Sequence, residues 1–191
     1  MTETTGAPRT TLSTTIHEPD MTAGEVEMIL FALERSRAQF AWKAGGLDAA
    51  GLARSCPPSA LTLGGLLKHL ALVEDLCRHR ITGEPPGHPW DGLDRDALGP
   101  EWPFTSAADD SPAELYALWQ GATERMSGVL ATVLADGGLD RPLAWTSADG
   151  RTPNLRRLLT DLHDEYARHV GHADLLREAV DGLVGEDPPQ P

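Results

Sequence analysis

Four stretches of this chain repeat apolar residues at helical spacing, and this pattern constrains its fold more than any other feature. The first runs from about Thr22 to Lys43, with Val26, Ile29, Leu30, Leu33 and Phe40 in register and Gly45-Gly46 as its stop. The second follows Thr62, a side chain suited to capping a helix N-terminus. It carries Leu63, Leu66, Leu67, Leu70, Val73 and Leu76 as far as Thr82-Gly83. The third opens on Ser111-Pro112-Ala113-Glu114. Serine is the N-cap, proline stands where the first N–H would have no partner, and glutamate can reach back to the serine N–H. It continues through Leu115, Leu118, Trp119, Met126, Val129 and Val133 to Gly137-Gly138. The fourth begins near Pro153 and runs to about Ala179, before Asp181-Gly182 and a proline-rich end. Neither a strand-like alternation nor an internal repeat accompanies them.

Helices of roughly 20 to 28 residues predict an all-α protein, a four-helix bundle over residues 21–182. Such bundles build ligand and metal sites from side chains on facing helices. Residues 1–20 read as a disordered lead and 183–191 as a flexible Pro-rich tail. Asp48 to Arg54 reads as one short helical turn. Between the second and third helices lies a long loop, Glu84 to Asp110, rich in Pro, Gly, Asp and Trp and without sustained period. Loops of this length inside a compact domain are often functional.

Composition excludes several function classes. A formal net charge of −13 argues against nucleic acid, which needs a basic face to displace counterions, and against an anionic membrane surface. No apolar run is long enough to span a bilayer, and the N-terminus has no secretory apolar core, so a cytoplasmic protein is expected. The two cysteines, Cys56 and Cys77, form no C-x-x-C pair and are expected to be reduced. Cys77 reads as a small apolar residue on the second helix, and Cys56 as a loop residue before Pro57-Pro58.

The polar residues inside the apolar pattern are the informative ones. Turning the fourth helix by 100° per residue puts Leu158, Leu162, His169, Ala173 and Leu176 on the side of Glu165. Asp161 and His172 fall there too. A carboxylate on an apolar stripe needs a partner, because burying an unpaired charge is expensive. His169, one turn after Glu165, lies beside it. On the second helix His69 shares a face with Leu66, Val73 and Leu76. Two histidines and a carboxylate form a metal-ligand set that leaves coordination positions open. The same spacing also fits a Glu–His salt bridge with a separately satisfied core histidine. Other ligand pairs are His169 with His172, or Asp161 with Glu165.

Longer stretches carry a family resemblance. They include Trp42-Lys43, Gly46-Leu47-Asp48, and Pro57 through Leu70-Ala71 with its Lys68-His69. Glu74-Asp75-Leu76 and Glu101-Trp102-Pro103-Phe104 follow. The last is Asn154-Leu155-Arg156 on to Glu165-Tyr166-Ala167-Arg168-His169-Val170-Gly171-His172 and Glu178. In these the chain resembles the DinB-like superfamily of four-helix metalloproteins. It is most similar to the branch of mycothiol-dependent S-transferases and the metal-binding domain of maleylpyruvate isomerase. The resemblance implies His69, Glu165 and His169 as ligands of a divalent metal, zinc first, with nickel or iron as alternatives. It implies a thiol S-transferase in which metal lowers the pKa of mycothiol or a similar thiol for attack on a small electrophile. Homodimers occur among such proteins. Around the pocket we expect His172, Tyr166, Trp102 and Trp145, with Arg156 or Arg168 as anion or sugar contacts. A non-catalytic stress protein that binds metal or a small ligand on the same scaffold is the alternative. His17, His79, His88 and His163 receive no role.

Overall fold

The computed structural model describes residues 12–190. Its helices are α1 (Glu25–Ala44), α2 (Ala49–Ala53), α3 (Leu63–Thr82), α4 (Arg95–Leu98), α5 (Trp102–Ser106), α6 (Pro112–Ala135) and α7 (Leu155–Asp181). No β-strand occurs among the described residues, only two isolated bridges. The four long helices are those expected from periodicity, and they form an all-α bundle. α3 packs on both α6 and α7, and α1 packs on α7. Fully enclosed at the centre are Phe40 from α1, Leu66 and Leu70 from α3, Met126 from α6, and Leu159 and Leu162 from α7. Burying each such side chain contributes about 1.5–3 kcal/mol before chain entropy is subtracted.

Local chemistry sets the helix ends. Thr62 Oγ1 accepts the Gly65 N–H at 3.0 Å, and Asn154 Oδ1 accepts the Arg157 N–H at 3.1 Å. The Ser111–Glu114 capping box forms in both directions, satisfying two N–H groups that no helical carbonyl can reach. At the other ends Gly83 and Gly182 adopt φ of +79° and +80°, a conformation only glycine takes without strain. Among the described residues no helix is long and apolar enough to cross a membrane.

The segment expected as an irregular loop holds α4, α5 and a 3-10 turn at 107–109. Each is about one turn long, too short to show a period in sequence. A buried carboxylate anchors this segment. Asp75 accepts Trp90 Nε1–H at 2.8 Å, and Arg125 donates to it from Nε at 3.0 Å and Nη2 at 2.8 Å. α5 lies close against α3 at Gly65, where a Cβ would stand 3.0 Å from the Phe104 carbonyl oxygen.

A second polar chain runs through the middle of the bundle and touches every long helix. Arg37 on α1 grips Glu74 on α3 through Nε at 2.8 Å and Nη2 at 2.6 Å. The Tyr166 hydroxyl on α7 donates to Glu74 at 2.7 Å and accepts Trp119 Nε1–H from α6 at 2.9 Å. Glu74 and Tyr166 are fully buried.

The described parts of the lead and the tail pack on each other and on α1. Residues 1–11 and Pro191 lie outside the described residues. Leu12 enters the core, and the Ile16 N–H donates to Gln190 at 2.8 Å. Asp187 accepts Gln39 Nε2–H at 2.8 Å and pairs with Arg35. The contacts of these described residues thus come chiefly from a single apolar residue in a polar stretch and one aspartate opposite an arginine.

Candidate metal centre

Where α3 packs on α7, three side chains converge. His69 Nε2 lies 2.8 Å from Glu165 Oε1, and His169 Nε2 lies 3.3 Å from the same oxygen. All three donor atoms fall within 4.8 Å of one another. Neighbouring rings fix the imidazoles. Phe104 stacks on His69 with centroids 4.5 Å apart, and the His69 and His169 rings meet edge to face at 4.7 Å. His172 Nδ1 sits 3.2 Å from His169 Nδ1, so the outward nitrogen of His169 also has a partner.

The electrostatics suit a cation. Burial pushes the Glu165 carboxyl upward, but its hydrogen bond with His69 and the two imidazoles outweigh this and hold it below the usual carboxylate range. Burial, with the neighbouring His69, pushes His169 from 6.5 down to about 4, against the opposing pull of Glu165. At neutral pH the set therefore offers one carboxylate and an unprotonated His169. Both are the forms that bind metal. Tetrahedral zinc about 2.0–2.1 Å from each donor needs donors roughly 3.3 Å apart. The two Glu165–histidine separations, 2.8 and 3.3 Å, approach that spacing, and with all three donors within 4.8 Å of one another the residues fit such an ion once the three side chains adjust around it. Glu165 also borders a groove of about 250 Å³ between α3, α7 and the α6–α7 connector.

A family model described as mycothiol-S-transferase matches residues 28–182. The chain belongs to the mycothiol S-transferase family. The match takes in His69, Glu165 and His169 and ends at Gly182, the residue that closes α7. No curated protein matches the chain.

Within this family member the expected pocket residues separate into two groups. His172 touches the candidate ligands, and Trp145 lines the groove beside Glu165. Tyr166 does not reach the groove, because its hydroxyl is engaged in the core by Glu74 and Trp119. Arg156 is paired with Glu25 and Asp140, and exposed Arg168 lies near Asp164. Trp102 packs edge-on to Trp90 with Lys68 over its ring. None of these four lines the groove.

Glu165 itself differs from its expected place. It sits at the margin of the apolar stripe with a third of its side chain exposed, while Tyr166 beside it is fully buried. Margin placement leaves the carboxylate facing the groove. Two contributors were not anticipated. Phe104 comes from a helix too short to show in sequence. Arg80 lies at the groove rim, continuing the His69, Val73, Leu76 face of α3 at i, i+4, i+7 and i+11, a spacing readable from the sequence.

Proposed function

We propose that this chain is a metal-dependent thiol S-transferase that joins mycothiol, or a thiol like it, to a small electrophile. The observation carrying the reading is the convergence of His69, Glu165 and His169 beside an open groove. Zinc is the first candidate metal, with nickel or iron as alternatives. A divalent ion held there supplies Lewis acidity that lowers the pKa of a thiol at an open position.

The chain's own residues supply the rest. Glu165 contributes negative charge that partly balances the cation. With a metal on its Nε2, His169 would carry its proton on Nδ1 and would donate it to His172 Nδ1, 3.2 Å away, which would hold the ring in place. Phe104 covers the face of His69 and keeps that ring from turning. In the reaction the thiol proton passes to solvent and sulfur forms a new S–C bond. The leaving group departs with the bonding pair; with an epoxide, the C–O bond breaks and the oxygen takes up a proton. No protein nucleophile is needed.

Metal analysis of chain purified without chelator, followed by incubation with mycothiol and a generic electrophile, tests this reading. One metal per chain and an S-conjugate by mass spectrometry are expected, with both lost in His69→Ala and His169→Ala. Metal without conjugate would favour the non-catalytic ligand-binding protein. No metal, before or after adding it back, would overturn the S-transferase reading and leave only a metal-free small-ligand-binding protein.

A further inference from the structure

The groove beside Glu165 is chemically uneven. Its wall is apolar: Val73 and Leu76 from α3, Leu143 from the connector, and Leu158 and Leu162 from α7, with Cys77 the smallest side chain among them. Trp145, 38% exposed, forms the rim, and Arg80 lies over its ring at 5.3 Å. Arg157 at the same mouth is held by Asp161 at 2.8 Å. Polar chemistry is therefore confined to the mouth and to the Glu165 end.

Size narrows the occupant. An apolar cavity of about 150 Å³ holds a benzene molecule, whereas drug-sized ligands occupy roughly 300–1,000 Å³. At about 250 Å³ this groove has room for one substituted ring. A sugar-bearing thiol is a poor match, because the leucine and valine wall offers its hydroxyls no partners and desolvating them without partners is unfavourable.

We propose that this groove is the subsite of the electrophile, that it takes an apolar group the size of one substituted aromatic ring, and that Cys77 determines how much room that ring has. The proposal rests on the S-transferase reading for the word electrophile, but its binding claim stands apart from turnover. A ring in the groove lies next to Glu165, so its reactive carbon adjoins the place where the thiol is held. The Cys77 thiol does not compete as nucleophile. Burial pushes its pKa up to about 12, so it stays protonated.

The test uses the full chain with one equivalent of zinc. Nitrobenzene, a single ring without a leaving group, is titrated by calorimetry, and 1-chloro-2,4-dinitrobenzene serves as the reactive counterpart. One nitrobenzene per chain is expected. Cys77→Phe, which places a phenyl group in the groove, should weaken it at least tenfold at unchanged zinc stoichiometry. The same variant should raise KM for the chloro compound at least tenfold, with a smaller change in kcat. Trp145→Ala, at the exposed rim, should weaken nitrobenzene severalfold and serves where Cys77→Phe does not fold. Conjugate formation with nitrobenzene affinity and KM unmoved by both variants would overturn the subsite and leave S-transfer standing. Saturable, Cys77-dependent nitrobenzene binding without any conjugate would support the ring site and remove the S-transferase reading.

Discussion

Replacing Glu74 with leucine tests the polar chain through the bundle. In the folded protein Arg37 is buried and meets Glu74 at two atoms, 2.8 and 2.6 Å away. Burial pushes the Glu74 carboxyl above the usual carboxylate range although Arg37 and Tyr166 pull it down, so the Glu74 charge depends on these two partners. Glu74→Leu removes one member and leaves the guanidinium with Glu34 at 2.6 Å and Ser127 at 3.2 Å. It also takes away the acceptor of the Tyr166 hydroxyl. Breaking a buried pair from one side costs about 3–5 kcal/mol. In a chain of this length 1 kcal/mol moves Tm by about 2–4 °C, which gives a fall of about 6–20 °C. Urea unfolding of the wild type, Glu74→Leu, Arg37→Leu and the double variant measures the coupling directly. The double variant removes both charges and should regain most of the loss. A single-variant loss under about 1 kcal/mol, or a double variant as unstable as the sum of the singles, would refute the reasoning.

Three further outcomes follow from the geometry. His169 has its pKa depressed from 6.5 to about 4 in the folded state. Between those values the unfolded chain binds a proton that the folded chain does not. Stability of the metal-free protein should therefore be intact above pH 6.5 and fall as pH drops through this window, by about 2 kcal/mol at pH 5. Denaturation curves that superimpose at pH 7.5 and pH 5 would contradict this. Gly65→Ala sets a methyl group 3.0 Å from the Phe104 carbonyl and 3.2 Å from its Cα, so α5 must shift. It should lower stability by about 1–3 kcal/mol and weaken zinc in a chelator competition, because Phe104 stacks on His69. Asp75→Asn breaks the ion pairs with Arg125 and Arg78 and weakens the anchor of Trp90, so limited proteolysis should cut within residues 84–110 several times faster than in the wild type.

The four long helices are legible in sequence because each repeats its apolar spacing over about four turns or more, and three of them carry a side-chain N-cap, Thr62, Ser111 and Asn154. α4 and α5 are illegible for the same reason in reverse, since one turn has no period to read. The candidate ligands are legible in part. Glu165 and His169 sit one turn apart on a single helix, so their adjacency follows from helix geometry. That His69 joins them depends on how α3 packs on α7, and the spacing within either helix cannot say so. The buried pairs lie further beyond local reach. Arg37 and Glu74 are 37 residues apart, and Glu74 and Tyr166 are 92 apart. Projection put Glu165 on the apolar stripe, but the stripe spans a wide arc, and packing against α1 and α3 selected Tyr166 for the interior instead.

That selection connects the core network to the site. Glu165 and Tyr166 are consecutive on α7, about 100° apart around its axis. A leucine-rich interface by itself specifies rotation weakly, since apolar contacts are non-directional. The Tyr166 hydroxyl is directional: it must meet Glu74 at 2.7 Å and Trp119 at 2.9 Å. Any rotation of α7 that turned Glu165 away from His69 would also pull this hydroxyl off its partners. The network thus fixes the angle at which Glu165 and His169 face the groove, the positioning a site of a few ligands requires. It follows that the Arg37→Leu/Glu74→Leu chain, although restored in stability, should still bind zinc more weakly than wild type. It refolds the bundle with the Tyr166 hydroxyl held by Trp119 alone, one of the two contacts that set the rotation of α7. Equal zinc affinity in the double variant and the wild type would show that apolar packing sets that angle.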